Sequence, residues 1–179
     1  MKYILAVVCG LLVAGLYAVL RLWPLGVQKS FSQHVAQNKR ATMFYALLFI
    51  ITLPPFVWFA VGWLMPTYML PTSFGVFVTA ACVLQVACTL VPEIDLRRTR
   101  IHRALAGFSG LFLLPAEWLV FTALPSSNGV RFYFIAGIVL QLLVLLLTAR
   151  RPEKVMTWPL QSAYYAGSFL PLAVLTYAV

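Results

Sequence analysis

The chain has 179 residues, of which 63% are hydrophobic and only 9% charged, whereas a soluble domain carries about 25% charged residues. So little polar side chain cannot cover a water-facing surface, which excludes a soluble globular protein and makes hydrocarbon the expected solvent. The formal charge of +9 could suggest a nucleic-acid partner, but the positions of the charges, given below, argue for none.

A spanning helix needs about 20 mostly apolar residues, because the hydrocarbon core is roughly 30 Å thick and each residue rises about 1.5 Å. Six segments qualify in chain order, at residues 3–22, 41–65, 74–91, 102–124, 132–149 and 160–179. A membrane β-barrel would show alternating stretches of about 10 residues, and the unbroken apolar run at 137–147 does not alternate. The expectation is an all-α, integral membrane bundle of six transmembrane helices forming a single domain, 1–179, with no low-complexity tract. The first segment could instead be a cleaved signal peptide with Lys2 as its n-region, but its apolar run is long for one.

Basic residues fall on alternate connections. Arg21, Lys29, Lys39 and Arg40 follow segment one, Arg97, Arg98, Arg100 and Arg103 follow segment three, and Arg150, Arg151 and Lys154 follow segment five. Only Lys2 and Arg131 remain for the other side. Lys and Arg mark the cytoplasmic face, so both termini are expected outside, in the cytoplasmic membrane of a bacterium or archaeon. The bland reading of these loops is topology plus attraction to anionic lipid, at about 1 kcal/mol per residue. The sharper one is a headgroup- or partner-binding site at Arg97, Arg98, Arg100, His102 and Arg103, with Glu93 and Asp95 as ion-pair partners.

Within the spans, Glu117 is the one acid well inside, and intramembrane acids are functional candidates by default. Pro115 should kink segment four beside it. Pro54, Pro115 and Pro171 lie at similar distances from the starts of segments two, four and six, roughly 16–20 Å above the inner boundary, and Pro54-Pro55 is the most severe interruption. Three kinks at one depth would splay the outer halves of these helices. The expected result is a ligand cavity opening toward the outer leaflet, lined by Glu117, with Trp58 and Trp118 at its rim. The alternatives are ordinary membrane prolines, and a Glu117 that is protonated or paired with Arg131.

The other polar residues invite plainer readings. His34 falls in a polar loop and His102 at the inner edge of segment four, where capping or loop bonding is favoured over haem ligation. Cys9, Cys82 and Cys88 have no metal-ligand spacing, and Cys82 and Cys88 should point to different faces as packing residues. No metal or other cofactor is expected. Gln85 and Gln141 suit interhelical hydrogen bonds, and Ala14/Ala18, Ala106/Gly110 and Ala163/Gly167 suit close helix contacts within the chain or between protomers. Tyr164 and Tyr165 read as an aromatic belt.

The stretch around Leu84-Gln-Val-Ala-Cys-Thr-Leu-Val-Pro-Glu93, followed by Arg100-Ile-His-Arg-Ala-Leu-Ala-Gly107, has a helix ending in Pro92, a short polar loop and His102 opening the next helix. In this it resembles the DUF998 family of polytopic membrane proteins and, more distantly, the Frag1/DRAM/Sfk1 group. The resemblance implies a multi-pass topology and carries no activity with it. Three functions are left open: binding or transport of a lipid or small ligand near Glu117, a structural or accessory subunit docking a protein partner or a second copy, and a membrane enzyme acting on lipid through His102 and the arginines.

Overall fold

The computed structural model describes residues 1–26, 29–150 and 157–177, and all regular structure within them is helical. Arg151 and Lys154 lie outside the described residues. Helix α1 spans Lys2–Leu22, a short α2 spans Phe31–Ala36, and α3 starts at Lys39–Phe59. The last continues through a π-helical stretch at Ala60–Leu64 and a final turn at Met65–Thr67. Then follow α4 (Thr72–Thr89), α5 (Leu96–Ala123), α6 (Val130–Arg150) and α7 (Trp158–Tyr177). Among the described residues, five helices are long and apolar enough to cross a membrane: α1, α3 with its extension, α4, α5 and α6.

Local chemistry sets the boundaries. Ser30 and Gln33 form a capping box that starts α2, a helix not expected in that connection. The Asn38 carboxamide accepts from the Arg40 and Ala41 amides and starts α3. Asp95 accepts from the Arg98 amide at 2.8 Å and starts α5 six residues before the expected edge, so Arg97, Arg98 and Arg100 sit on the first turns of a helix rather than in a loop. A side-chain oxygen at such a cap satisfies an amide that the helix cannot.

The long helices contact one another in the ring order α1–α3–α4–α5–α6–α7 and back to α1. The α4–α5 contact is the most extensive and α5–α6 is much sparser than α6–α7. The core includes Phe31, Phe49, Phe59 and Phe134, each almost wholly buried. At the basic end of the ring, the Trp158 amide donates to the Lys29 carbonyl at 2.9 Å and the Phe31 amide to Gln161 Oε1 at 2.9 Å. At the opposite end, the Tyr177 hydroxyl donates to the Lys2 carbonyl at 2.7 Å. Helix α7 therefore runs antiparallel to α1 over the same thickness.

The α6–α7 contact depends on two glycines. A Cβ on Gly137 would come within 2.3 Å of the Gly167 carbonyl oxygen, so only glycine lets the backbones meet there. Pro171 has no amide to bond that carbonyl, which packs against Gly137 instead. Of the expected small-residue contacts, Gly110 faces Tyr164 and Leu145, and Gly167 faces Gly137 and Gln141.

Candidate functional site

The ring encloses a cavity of about 610 Å³ whose wall draws on α1 and on every long helix from α3 to α7. Aliphatic and aromatic residues such as Phe49, Phe56, Val78 and Leu172 make most of its surface. The wall residues that also reach the molecular surface are Ala104 and Leu111 on α5 and Leu142, Leu146 and Ala149 on α6. They mark a lateral opening where α5 and α6 touch least, from mid-helix toward the basic end. The expectation placed an opening in the half farthest from the basic loops, whereas these surface-reaching wall residues lie from mid-helix toward the basic end. A Cβ on Gly107, beside this opening, would meet no atom within 4 Å.

The expected prolines do not line the cavity. Helices α3, α5 and α7 stay helical through Pro54, Pro55, Pro115 and Pro171, and none of these prolines lines the wall. Trp58 and Trp118 are 61% and 53% exposed and face outward. Of the seven residues expected around a ligand, Glu117 alone lines the cavity.

Glu117 is 5% exposed. Gln141, fully buried on α6, donates from Nε2 to Glu117 Oε2 at 2.6 Å, so an interhelical bond does explain this glutamine. The Ser168 hydroxyl on α7 lies against the same carboxyl but closes no hydrogen bond of ordinary geometry. The buried side-chain polar atoms without a hydrogen-bond partner, among the described residues, are Glu117 Oε1, Gln141 Oε1, Ser168 Oγ and Tyr164 OH. Arg131 does not answer Glu117, because its guanidinium stacks on the Phe121 ring at 4.2 Å.

A second polar cluster closes the basic end. Glu93 Oε1 accepts from Ser32 Oγ at 2.6 Å, tying α2 to the α4–α5 connection. Its other oxygen lies 3.6 Å from Arg103 Nη2, and Oε1 is 3.6 Å from His102 Nε2. His102 donates from Nδ1 to the Val91 carbonyl at 2.7 Å, which closes the Pro92 turn and leaves Nε2 facing Cys88 Sγ at 3.3 Å. Glu93, His102, Arg103 and Cys88 all line the cavity. Asp95 pairs with Arg98 at 3.4 Å on the surface, and Arg97 and Arg100 are exposed and away from the wall. The five-residue headgroup cluster thus divides, with only His102 and Arg103 at the cavity.

Several expected placements change. His34 is buried in α2 rather than lying in a loop; Nδ1 lies 2.9 Å from the Trp23 carbonyl and 3.1 Å from the Leu25 amide, and Nε2 lies 3.2 Å from the Gly26 carbonyl, so it folds the turn after α1. Tyr164 and Tyr165 line the cavity instead of a belt, and Tyr165 accepts from Gln85 Nε2 at 3.3 Å. Cys82 and Cys88 both line it as well. The overlooked signal is on α7, where Gln161, Tyr164, Tyr165, Ser168 and Leu172 repeat at three- and four-residue intervals and so share one face. No protein-family model, curated protein or solved structure matches this chain.

Proposed function

We propose that this chain is a six-span membrane protein, with its basic connections on the cytoplasmic side, that takes a lipid-like molecule from the inner leaflet and holds it in the central cavity. The observation that carries the reading is the lateral opening between α5 and α6 into an apolar cavity of about 610 Å³, inside the ~300–1,000 Å³ range of small-molecule sites. Helix α7 is 20 residues long and tied at both ends to the flanks of α1, which supports a sixth span. Positive-inside placement then sets the opening in the cytoplasmic half, where an acyl or isoprenoid chain can slide between α5 and α6 without crossing water.

Native mass spectrometry of protein extracted with its own lipids tests this. A stoichiometric lipid adduct on the wild type is expected, lost in Gly107→Trp, whose indole would fill the opening. A bare wild-type chain, or an adduct equally retained in the variant, overturns the reading. A protein partner in place of lipid would favour an accessory subunit.

One observation favours a second reading, a membrane enzyme at the cytoplasmic boundary. The Cys88 thiol and the His102 imidazole are within 3.3 Å, and a nucleophile beside an oriented base is the arrangement covalent catalysis needs. Turnover of a lipid ester that survives in both Cys88→Ala and His102→Gln would remove it.

A further inference from the structure

The atoms left without hydrogen bonds are not scattered. Among the described residues, Glu117 Oε1, Gln141 Oε1 and Ser168 Oγ gather where α5, α6 and α7 meet, whereas Tyr164 OH lies against Gly110, about two turns along α5 from Glu117. Glu117, Gln141 and Ser168 are each at most 5% exposed. A buried polar group without a partner costs about 1–3 kcal/mol, and more when charged, so three in one place call for a common answer.

Among the described residues the protein supplies only part of it: the Ser168 hydroxyl lies against the Glu117 carboxyl without closing a hydrogen bond of ordinary geometry, and no basic side chain reaches the carboxylate. The single direct bond to Glu117 comes from a neutral amide, and Arg131 is engaged with Phe121. Glu93, Arg103 and His102 belong to the other cluster, and His102 lies fifteen residues from Glu117 on α5, about 22 Å along the axis. A second hydrogen-bond donor would satisfy one oxygen. A small cation would satisfy several at once, and hard cations prefer sets of oxygen ligands. One carboxylate among neutral oxygens matches a single positive charge, where sites for divalent ions gather more acids.

We propose that Glu117, Gln141 and Ser168 form an intramembrane site for a small alkali cation, sodium being the ion to test. The inference stands on the unpartnered oxygens and is independent of what fills the apolar part of the cavity. Because Glu117, Ser168 and Tyr164 also line that cavity, an ion held there would touch a bound molecule or its path.

The test is thermal unfolding of the purified protein in detergent, titrated with sodium chloride against equal concentrations of choline chloride. A saturable rise in Tm specific to sodium is expected. It should be absent in Glu117→Gln, and in Ser168→Ala its half-saturation should move up on the order of tenfold. Should Glu117→Gln fail to fold, the Ser168→Ala shift, checked by direct ²²Na⁺ binding, decides the matter alone. Equal responses to sodium and choline, a Tm that follows pH and ignores sodium, or sodium binding undiminished in Ser168→Ala would each overturn the proposal. The lipid-adduct measurement is unaffected by any of these results, so the two readings fail separately.

Discussion

Glu93 and Glu117 are two carboxylates in one helix ring, with similarly buried side chains, and the protein treats them oppositely. Around Glu93 stand a serine hydroxyl at 2.6 Å, an arginine and a histidine. Around Glu117 stand the Gln141 amide and the Ser168 hydroxyl, with Glu117 Oε1, Gln141 Oε1 and Ser168 Oγ left without a hydrogen bond of ordinary geometry. Burial is shared, so burial does not mark a site; the difference lies in whether the protein completes the acid's partners itself. The Glu93 cluster is self-sufficient and holds α2 to the α4–α5 turn. The Glu117 cluster is incomplete, as a place for something else must be.

The contrast yields an order of effects on stability. The largest is expected from Gly137→Val, which forces α6 away from the Gly167 carbonyl and carries Gln141 off Glu117. Overpacking against rigid backbone should cost about 3 kcal/mol or more, read as a fall in Tm, and a variant as stable as wild type would break the α6–α7 placement. Next comes Glu93→Gln, which leaves Arg103 without its counter-ion and should cost about 2 kcal/mol. Ser32→Ala deletes one charge-assisted bond and should cost about 1–2 kcal/mol, with earlier proteolysis near α2 as a second readout. Smallest is Glu117→Gln in sodium-free buffer, expected within about 1 kcal/mol of wild type in either direction, since no protein cation loses its partner. If Glu117→Gln proves more damaging than Glu93→Gln without sodium, the contrast between the two clusters fails.

Much of this was legible in the sequence. Long apolar runs separated by short polar connections announced α1, α3, α4, α5 and α6, because each helix must satisfy its own backbone in hydrocarbon. Glu117 stood out for the same reason. A cavity at Glu117 was expected as well, but the rest of its wall was not, because that is set by which helices are neighbours and by how each is rotated. Pro54, Pro115 and Pro171, from which a cavity was inferred, are not among its wall residues. Proline depth can be counted along a chain, whereas the loose α5–α6 contact exists only between chain segments. Ser168 was invisible for a related reason, since a serine in an apolar helix usually bonds its own backbone, and only α5 and α6 beside it reveal that this one does not. Helix α2 was missed because Ser30 and Gln33 cap a helix too short to show a hydrophobic period.

The touching glycines of α6 and α7 carry a mechanical consequence. Gly137 is the place where α6 rests directly on backbone, and a contact with no side chains between is a fulcrum. Gln141 lies four residues from it, about 6 Å along the axis, and Ala149 lies twelve residues away, about 18 Å. Any tilt of α6 about that point therefore moves the Ala149 end of the opening about three times as far as it moves the amide on Glu117, while the Leu142 end moves little farther than that amide.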